Sequence, residues 1–196
     1  MIKSHLNDDR RHHIITASQA YDAIYNRKRL WREKTLRAEP FEGNDATRWG
    51  NSNEPHALMM LEDQLNTVLG DGDKLYVHPT EPLGASPDGF YVQQSMTGEK
   101  VKDYVVEVKC PYSMELYKRI PENYWFQMQV QMYVCNKEKA LFYVWTPEDQ
   151  SLDEVDFNPT FIEWYLPLAR AFVEFVQTDV EPPRWTKAPR FDQSIL

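Results

Sequence analysis

The spacing of apolar positions changes period twice along the chain. Between residues 16 and 36, Ala20, Ile24 and Leu30–Trp31 recur near every 3.6 residues, and Thr16 or Ser18 suits an N-cap. That spacing predicts a helix, followed by a polar loop over 39–46. Ala57, Leu58, Leu61, Leu65 and Val68 predict a second helix over 54–69, stopped at Gly70 before an Asp71-Gly72-Asp73 turn. The period then drops to two. Residues 74–79, 89–95 and 101–109 predict strands, the last two joined by a Thr97-Gly98-Glu99-Lys100 hairpin turn. A helical pattern returns over 112–136, interrupted at Pro121, which suits the first turn of a helix. Ala140–Thr146 predicts an apolar strand, Val155–Phe157 a shorter one, and 160–178 a long helix carrying Phe161, Tyr165, Phe172 and Val176. From Val180 the chain is rich in Pro, Trp and Arg without a period, which predicts extended chain on the surface. The order predicts an α/β fold, a mixed central β-sheet flanked by helices.

The 196 residues fit one domain, with 42% hydrophobic residues to build its core. Within residues 1–196 the reading separates a basic segment over 1–37, core strands and helices over 74–178, and the tail over 180–196. Two cysteines, Cys110 and Cys135, exclude a disulfide scaffold and any four-cysteine metal site. No apolar run approaches the ~20 residues of a membrane helix, and the N-terminus lacks a signal-peptide pattern. The expected setting is cytoplasmic, without a membrane partner. The net charge of −8 by itself disfavours nucleic acid. Its distribution does not: residues 1–37 carry a balance of +5 and residues 38–196 one of −13. A basic head can meet phosphates while an acidic body stays soluble, although a solvated helix face accounts for the same charges.

The sharpest local feature is Gly84-Ala85-Ser86-Pro87-Asp88-Gly89, followed by Glu107-Val108-Lys109-Cys110-Pro111. Glu107 and Lys109 share one face of a strand. The hairpin folds that strand back beside Asp88, so the two carboxylates lie together. Such a pair repels unless a cation intervenes, and hard oxygen ligands suit magnesium or manganese. The main-chain carbonyl of Val108 can complete one side. Lys109 can hold or activate a water and stabilise charge developing on phosphorus, which is the equipment of metal-assisted phosphodiester hydrolysis. Read alone, the pattern is also that of an ordinary turn and a Glu–Lys pair. Glu54, in Gly50-Asn51-Ser52-Asn53-Glu54-Pro55, reads as an acid at a helix start. Gln127 and Gln131 share one helix face and Gln129 lies on another; they either line a site or form a surface stripe.

Thr16-Ala17-Ser18, Gly50…Glu54, Ser86-Pro87-Asp88-Gly89, Glu107-Val108-Lys109-Cys110-Pro111 and Gln127-x-Gln129 together resemble the YqaJ-like viral recombinase family, which includes phage lambda exonuclease. That family lies within the PD-(D/E)XK nucleases, which have a restriction-endonuclease-like core. The resemblance implies a magnesium-dependent exonuclease that degrades one strand of duplex DNA from its 5′ end and leaves a 3′ overhang for phage-type recombination. It implies two Mg²⁺ ions, with Mn²⁺ able to substitute, held by Asp88, Glu107, the Val108 carbonyl and Glu54. Lys109 then acts on the attacking water. It implies a 5′-phosphate pocket from Arg11, Ser18, Ser86 and Gln127, with Arg10 as the alternative to Arg11. It also implies double-stranded DNA ends as substrate, a homotrimeric ring, and a single-strand annealing protein as partner in a bacterial or phage-infected cell. The Gln129…Tyr133 spacing leaves the glutamine register open.

Arg10, Arg27, Lys28 and Arg29 are expected along a DNA backbone path, or as helix solvation. Two other functions share these residues. A site-specific endonuclease needs base-reading elements, and none is evident in 196 residues. A non-catalytic DNA-end-binding adaptor would not need Asp88, Glu107 and Lys109 together. The tail around Pro182-Pro183-Arg184-Trp185 is a candidate contact for a partner or another subunit.

Overall fold

A computed structural model describes residues 8–39, 41–72, 74–95 and 97–192. His5 in the basic head, Asp73 in the expected turn and residues 193–196 of the tail lie outside that set. The chain order is β1 (Ile15–Thr16), α1 (Asp22–Tyr25), α2 (Arg27–Lys34), α3 (Asp45–Leu65), β2 (Gly70–Asp71), β3 (Tyr76–Val77), β4 (Leu83–Ala85), β5 (Gly89–Gln94), β6 (Lys100–Lys109), α4 (Glu122–Cys135), β7 (Lys139–Trp145), β8 (Gln150–Asp156) and α5 (Pro159–Gln177). Short 3-10 turns at Asp9–His12 and Ala17–Gln19 flank β1.

The main sheet has the order β2-β5-β6-β7-β8. All its pairings are antiparallel except β6–β7, which run parallel through the α4 crossover. A smaller sheet, β1-β4-β3, carries the N-terminal segment to the same end of the molecule. The architecture is therefore mixed α/β, as the order of periods implies.

Alternation along β6 sorts its side chains between two cores. Tyr104, Val106 and Val108 pack with Ala57 and Leu61 of α3. Val105 faces the larger core, shared with Phe126 and Met128 of α4 and with Phe161 and Phe172 of α5. β7 is buried on both faces, which is why it reads as an unbroken apolar run. Burial of Leu61 alone contributes roughly 1.5–3 kcal/mol to holding α3 on the sheet.

Several elements differ from the expected ones. The helix expected over 16–36 is broken into β1, a 3-10 turn, α1 and α2. Thr16 pairs in a strand with Gly84, and Asn26 ends α1 while its amide bonds back to Asp22 at 2.6 Å. The strand expected over 74–79 shrinks to β3 and joins the smaller sheet. Residues 112–120 form no helix; the helix starts after Pro121. β8 is longer than Val155–Phe157, because its whole length pairs with β7. The largest departure is α3. It starts at Asp45, with the Asn44 side chain accepting from the Thr47 N–H at 2.9 Å, and it carries Pro55 inside.

The tail runs along the surface without helix or strand, as expected, and two of its rings anchor it. Phe191 is buried among Trp125, Phe161 and Trp164, and the Trp185 indole N–H donates to the Ile24 carbonyl at 2.7 Å. Both rings are thus engaged within the chain. Among the described residues, no helix is long and apolar enough to cross a membrane.

Candidate active site

Asp88 enters the site on the turn that leads into β5. Its backbone N–H donates to the Val106 carbonyl at 3.0 Å, and its carboxylate accepts the Val108 N–H at 2.8 Å. Asp88 is therefore clamped to the two residues that flank Glu107. Gly72 makes room for this turn: a Cβ there would stand 2.5 Å from the Gly89 nitrogen and the Pro87 carbonyl oxygen. Only glycine allows the two segments to approach so closely.

Glu107 is 1% exposed and receives donors on both oxygens. One oxygen accepts from Gln127 Nε2 at 2.7 Å and from the Lys109 ammonium; the other accepts from Gln131 Nε2 at 2.5 Å. Gln127 and Gln131 stand one turn apart on α4, so their amides reach one carboxylate. Burial pushes the Glu107 carboxyl up, and the Lys109 ammonium opposes that shift. Burial alone would lower Lys109, but the charges of Glu107 and Asp88 outweigh it and hold the ammonium above its ordinary value. Lys109 Nζ also lies 4.9 Å from the centre of the Tyr124 ring, a cation–π contact that fixes its direction.

The N-terminal segment supplies the opposite wall. Arg11 sits in the 3-10 turn Asp9–His12, with its Nη1 buried and without a hydrogen-bond partner. Burial pushes this guanidinium below its ordinary value. Its backbone carbonyl is held by Lys34 Nζ at 2.7 Å. Lys34 is itself 7% exposed, and burial, assisted by the Arg11 charge, pushes it down to about 7. Ser18 is reached by Thr16, their hydroxyl oxygens 3.3 Å apart. Ser86 Oγ is buried and, like Gln131 Oε1, has no partner.

One cavity of about 210 Å³ is lined by Arg11, Ser18, Ser86 and Gln127 together with Glu54, Asp88, Glu107 and Lys109. Eight residues singled out from five separate stretches of sequence thus meet in one place. Thr16, Asn51 and Gln131 also line it. Asn51 had no role in the sequence reading; its one signal is its place one turn before Glu54 on α3. Lys34 stands on a basic helix that suits a DNA-backbone path or a solvated face equally, and that setting conceals its burial.

Other assignments change. Glu54 lies midway along α3 rather than at a helix start, because Asn44 caps the helix well upstream. Arg10 is exposed and bonds to Asp8 at 2.6 Å, so Arg11 is the arginine that reaches the cavity. Arg27 is buried, not placed along a surface: its guanidinium stacks 4.3 Å from the Trp185 ring and 5.1 Å from that of Phe175. Lys28 pairs with Glu181 at 2.6 Å, and Arg29 pairs with Asp22. Gln129 points away, bonding the Asp156 carbonyl and the Asn158 N–H, while Tyr133 stacks on His78. The glutamine aimed at the cavity is therefore Gln127, accompanied by Gln131.

Among the described residues, no three His, Cys, Asp or Glu side chains converge as a metal cage. The donor set suits a hard cation all the same. Magnesium is commonly held by one or two carboxylates, with waters and substrate phosphate completing its shell. Asp88 and Glu107 meet that description, with Glu54 on the same cavity wall.

The fold is that of a group of solved exonucleases. The chain is similar to LHK-Exo in complex with dAMP, with a TM-score of 0.73 and 22% identity over 88% of this chain and 92% of that one. It is similar to the alkaline exonuclease LHK-Exo from Laribacter hongkongensis, with a TM-score of 0.69 and 21% identity over 87% and 91% of the two chains. It is also similar to a phage-related exonuclease from Haemophilus somnus 129PT, with a TM-score of 0.63 and 12% identity over 85% and 96%. These likenesses concern the fold. The YqaJ-like viral recombinase domain model matches residues 7–138, and the chain belongs to that family. No curated protein matches the sequence.

Proposed function

We propose that the protein is a metal-dependent exonuclease that degrades one strand of a duplex DNA end in the 5′-to-3′ direction. It would leave 3′ single-stranded overhangs for phage-type recombination. The observation that carries this reading is the shared cavity. Carboxylates and a lysine suited to hydrolysis stand across about 210 Å³ from an arginine and a serine whose polar atoms are buried without partners. Buried polar groups are normally satisfied, so orphaned donors point to a bound group. A terminal phosphate dianion would satisfy both Arg11 and Ser86. Family membership supports the reading, as does the likeness to LHK-Exo, whose structure contains dAMP, a nucleoside 5′-monophosphate.

Asp88, Glu107, the Val108 carbonyl and Glu54 would hold Mg²⁺, as two ions, with Mn²⁺ able to substitute. When bound, the metal supplies a Lewis acid for the phosphoryl oxygens and lowers the pKa of a coordinated water. The chain's own residues do the rest. Arg11, Ser18, Ser86 and Gln127 bind the 5′-phosphate and set the position of the first nucleotide. Gln127 and Gln131 orient Glu107 through its two oxygens. Lys109, directed by Glu107 and the Tyr124 ring, orients the attacking water and offsets negative charge on the phosphoryl group. The family match and the likeness to solved exonucleases favour an exonuclease over a site-specific endonuclease.

By the same family reasoning the chain works as a homotrimeric ring with a single-strand annealing protein, in the bacterial cytoplasm. The test of the activity is a linear duplex labelled separately at each 5′ and 3′ end, with 5′-phosphate or 5′-hydroxyl, with magnesium or chelator. Early magnesium-dependent release of the 5′ label, faster from phosphorylated ends, is expected. Retention of every label would make the protein an end-binding adaptor, and internal cuts would make it an endonuclease.

A further inference from the structure

The reaction cavity adjoins a second cleft of about 370 Å³. Asn51, Glu54 and Lys109 line both. The remaining walls have opposite chemistry. Arg11, Ser18, Ser86 and Gln127 line only the first, and Tyr112, Tyr117 and Tyr124 only the second. A region built for phosphate and a region of phenol rings therefore meet at the carboxylate–lysine set.

Two of the rings form a rigid floor. Tyr117 and Tyr124 lie with centroids 5.6 Å apart, and both pack on Phe142 of the core. Tyr112 differs from them: it is 55% exposed and lines the cleft without a ring partner among the described aromatic contacts. It stands three residues after Lys109, with Pro111 stiffening the connection. The cleft is large enough for a nucleoside. Its polar lining, from Thr47, Asn51 and Ser113, carries no basic side chain apart from Lys109.

Resting on the exonuclease reading above, we infer that this cleft is the subsite for the second nucleoside of the strand being degraded, with its base stacked on Tyr112. The order of the two regions sets this assignment. A 5′-phosphate at Arg11 places the first nucleoside inside the reaction cavity and the next phosphate at Lys109. The nucleoside that follows then falls on the far side of Lys109, among the tyrosines. Stacking suits the task, because every base has a π-face and an enzyme that consumes any sequence gains hold without reading bases. The cleft would keep the remaining strand engaged after each cut.

The experiment compares single-turnover release of the first nucleotide from two 5′-phosphorylated duplexes with magnesium. One is intact and the other carries an abasic site at the second nucleotide of the 5′ strand. Wild type and Tyr112→Ala are measured on both, and the ratio between enzymes cancels the effect of the abasic site on the duplex itself. The wild-type advantage over Tyr112→Ala is expected to be about 10-fold on the intact duplex and to vanish on the abasic one. An equal advantage on both duplexes, or none on either, would overturn the subsite. Absence of 5′ release by wild type from the intact duplex would overturn the exonuclease reading, and the subsite with it. Because Tyr112 is exposed, its substitution leaves the core intact, which thermal denaturation verifies.

Discussion

The two ends of the reaction cavity are satisfied to different degrees. At the β6–α4 end, Glu107 has donors on both oxygens and Asp88 is tied to the β6 backbone, although the Gln131 amide oxygen there is buried without a partner. At the N-terminal end, Arg11 Nη1 and Ser86 Oγ are buried with no partner. The carboxylates of the first end are held in place by the protein itself, whereas the second keeps a buried arginine nitrogen and a buried serine oxygen without partners. This contrast matches what each end would have to do. Groups that act on a transition state gain from being fixed beforehand. Groups that bind a phosphate must keep donors free to meet it. The difference also separates the expected phenotypes: changes at the β6–α4 end should alter turnover, and changes at the N-terminal end should alter which DNA ends are used.

The largest expected effect lies at the preorganised end. Lys109→Ala should lower the hydrolysis rate by about 100- to 1,000-fold while end binding persists. Glu107 keeps its two amide donors in that variant, so the fold should hold. Comparing single-turnover cleavage with gel-shift binding of the same duplex checks this. Cleavage at the wild-type rate would remove Lys109 from the chemistry.

A smaller effect sharpens the comparison from the other end. Lys34, which holds the Arg11 carbonyl, is kept near pH 7 against an ordinary 10.5. Between those values the unfolded chain binds a proton that the folded chain does not. Stability from this group therefore rises as pH climbs from about 7 toward 10.5, and the full cost of burying the ammonium is present below about 7. Lys34→Met removes the titration. Wild type should gain stability over Lys34→Met as pH goes from 6 to 9.5, by on the order of 3 kcal/mol in urea denaturation. A pH-independent difference would mean that Lys34 is not buried as an ammonium at low pH.

The same contrast governs what could be read from the sequence. The β6–α4 end was legible because strand alternation separates Glu107 and Lys109 from Val106 and Val108, and helical spacing puts Gln127 with Gln131. Local periodicity and side-chain direction are the same thing there. The N-terminal end was legible as a set of residues, through the family resemblance, but not as a shape. β1 and β4 are too short to show a period, although Leu83–Ala85 pairs on both sides. α3 was placed too late because Gly50, Asn53 and Pro55 are helix breakers. The structure keeps them helical through the docking of Ala57 and Leu61 on Val106 and Val108. Arg27 and Lys34 carried no local sign of burial; only the return of α5 and the tail across α2 covers Arg27. Gly72 looked like a turn glycine, whereas its function is to let the Asp88 turn pass.

The most direct test uses Arg11→Ala and a duplex whose 5′ end carries either phosphate or hydroxyl. The ratio of initial 5′-nucleotide release from the two ends is measured for wild type and variant, with magnesium at one salt concentration. If the unpartnered end of the cavity holds the terminal phosphate, wild type prefers the phosphorylated end by about 10-fold or more. Arg11→Ala then brings that ratio close to one while its rate on the hydroxyl end stays near that of wild type. A variant that keeps the wild-type ratio would contradict the assignment of the N-terminal end as the phosphate pocket.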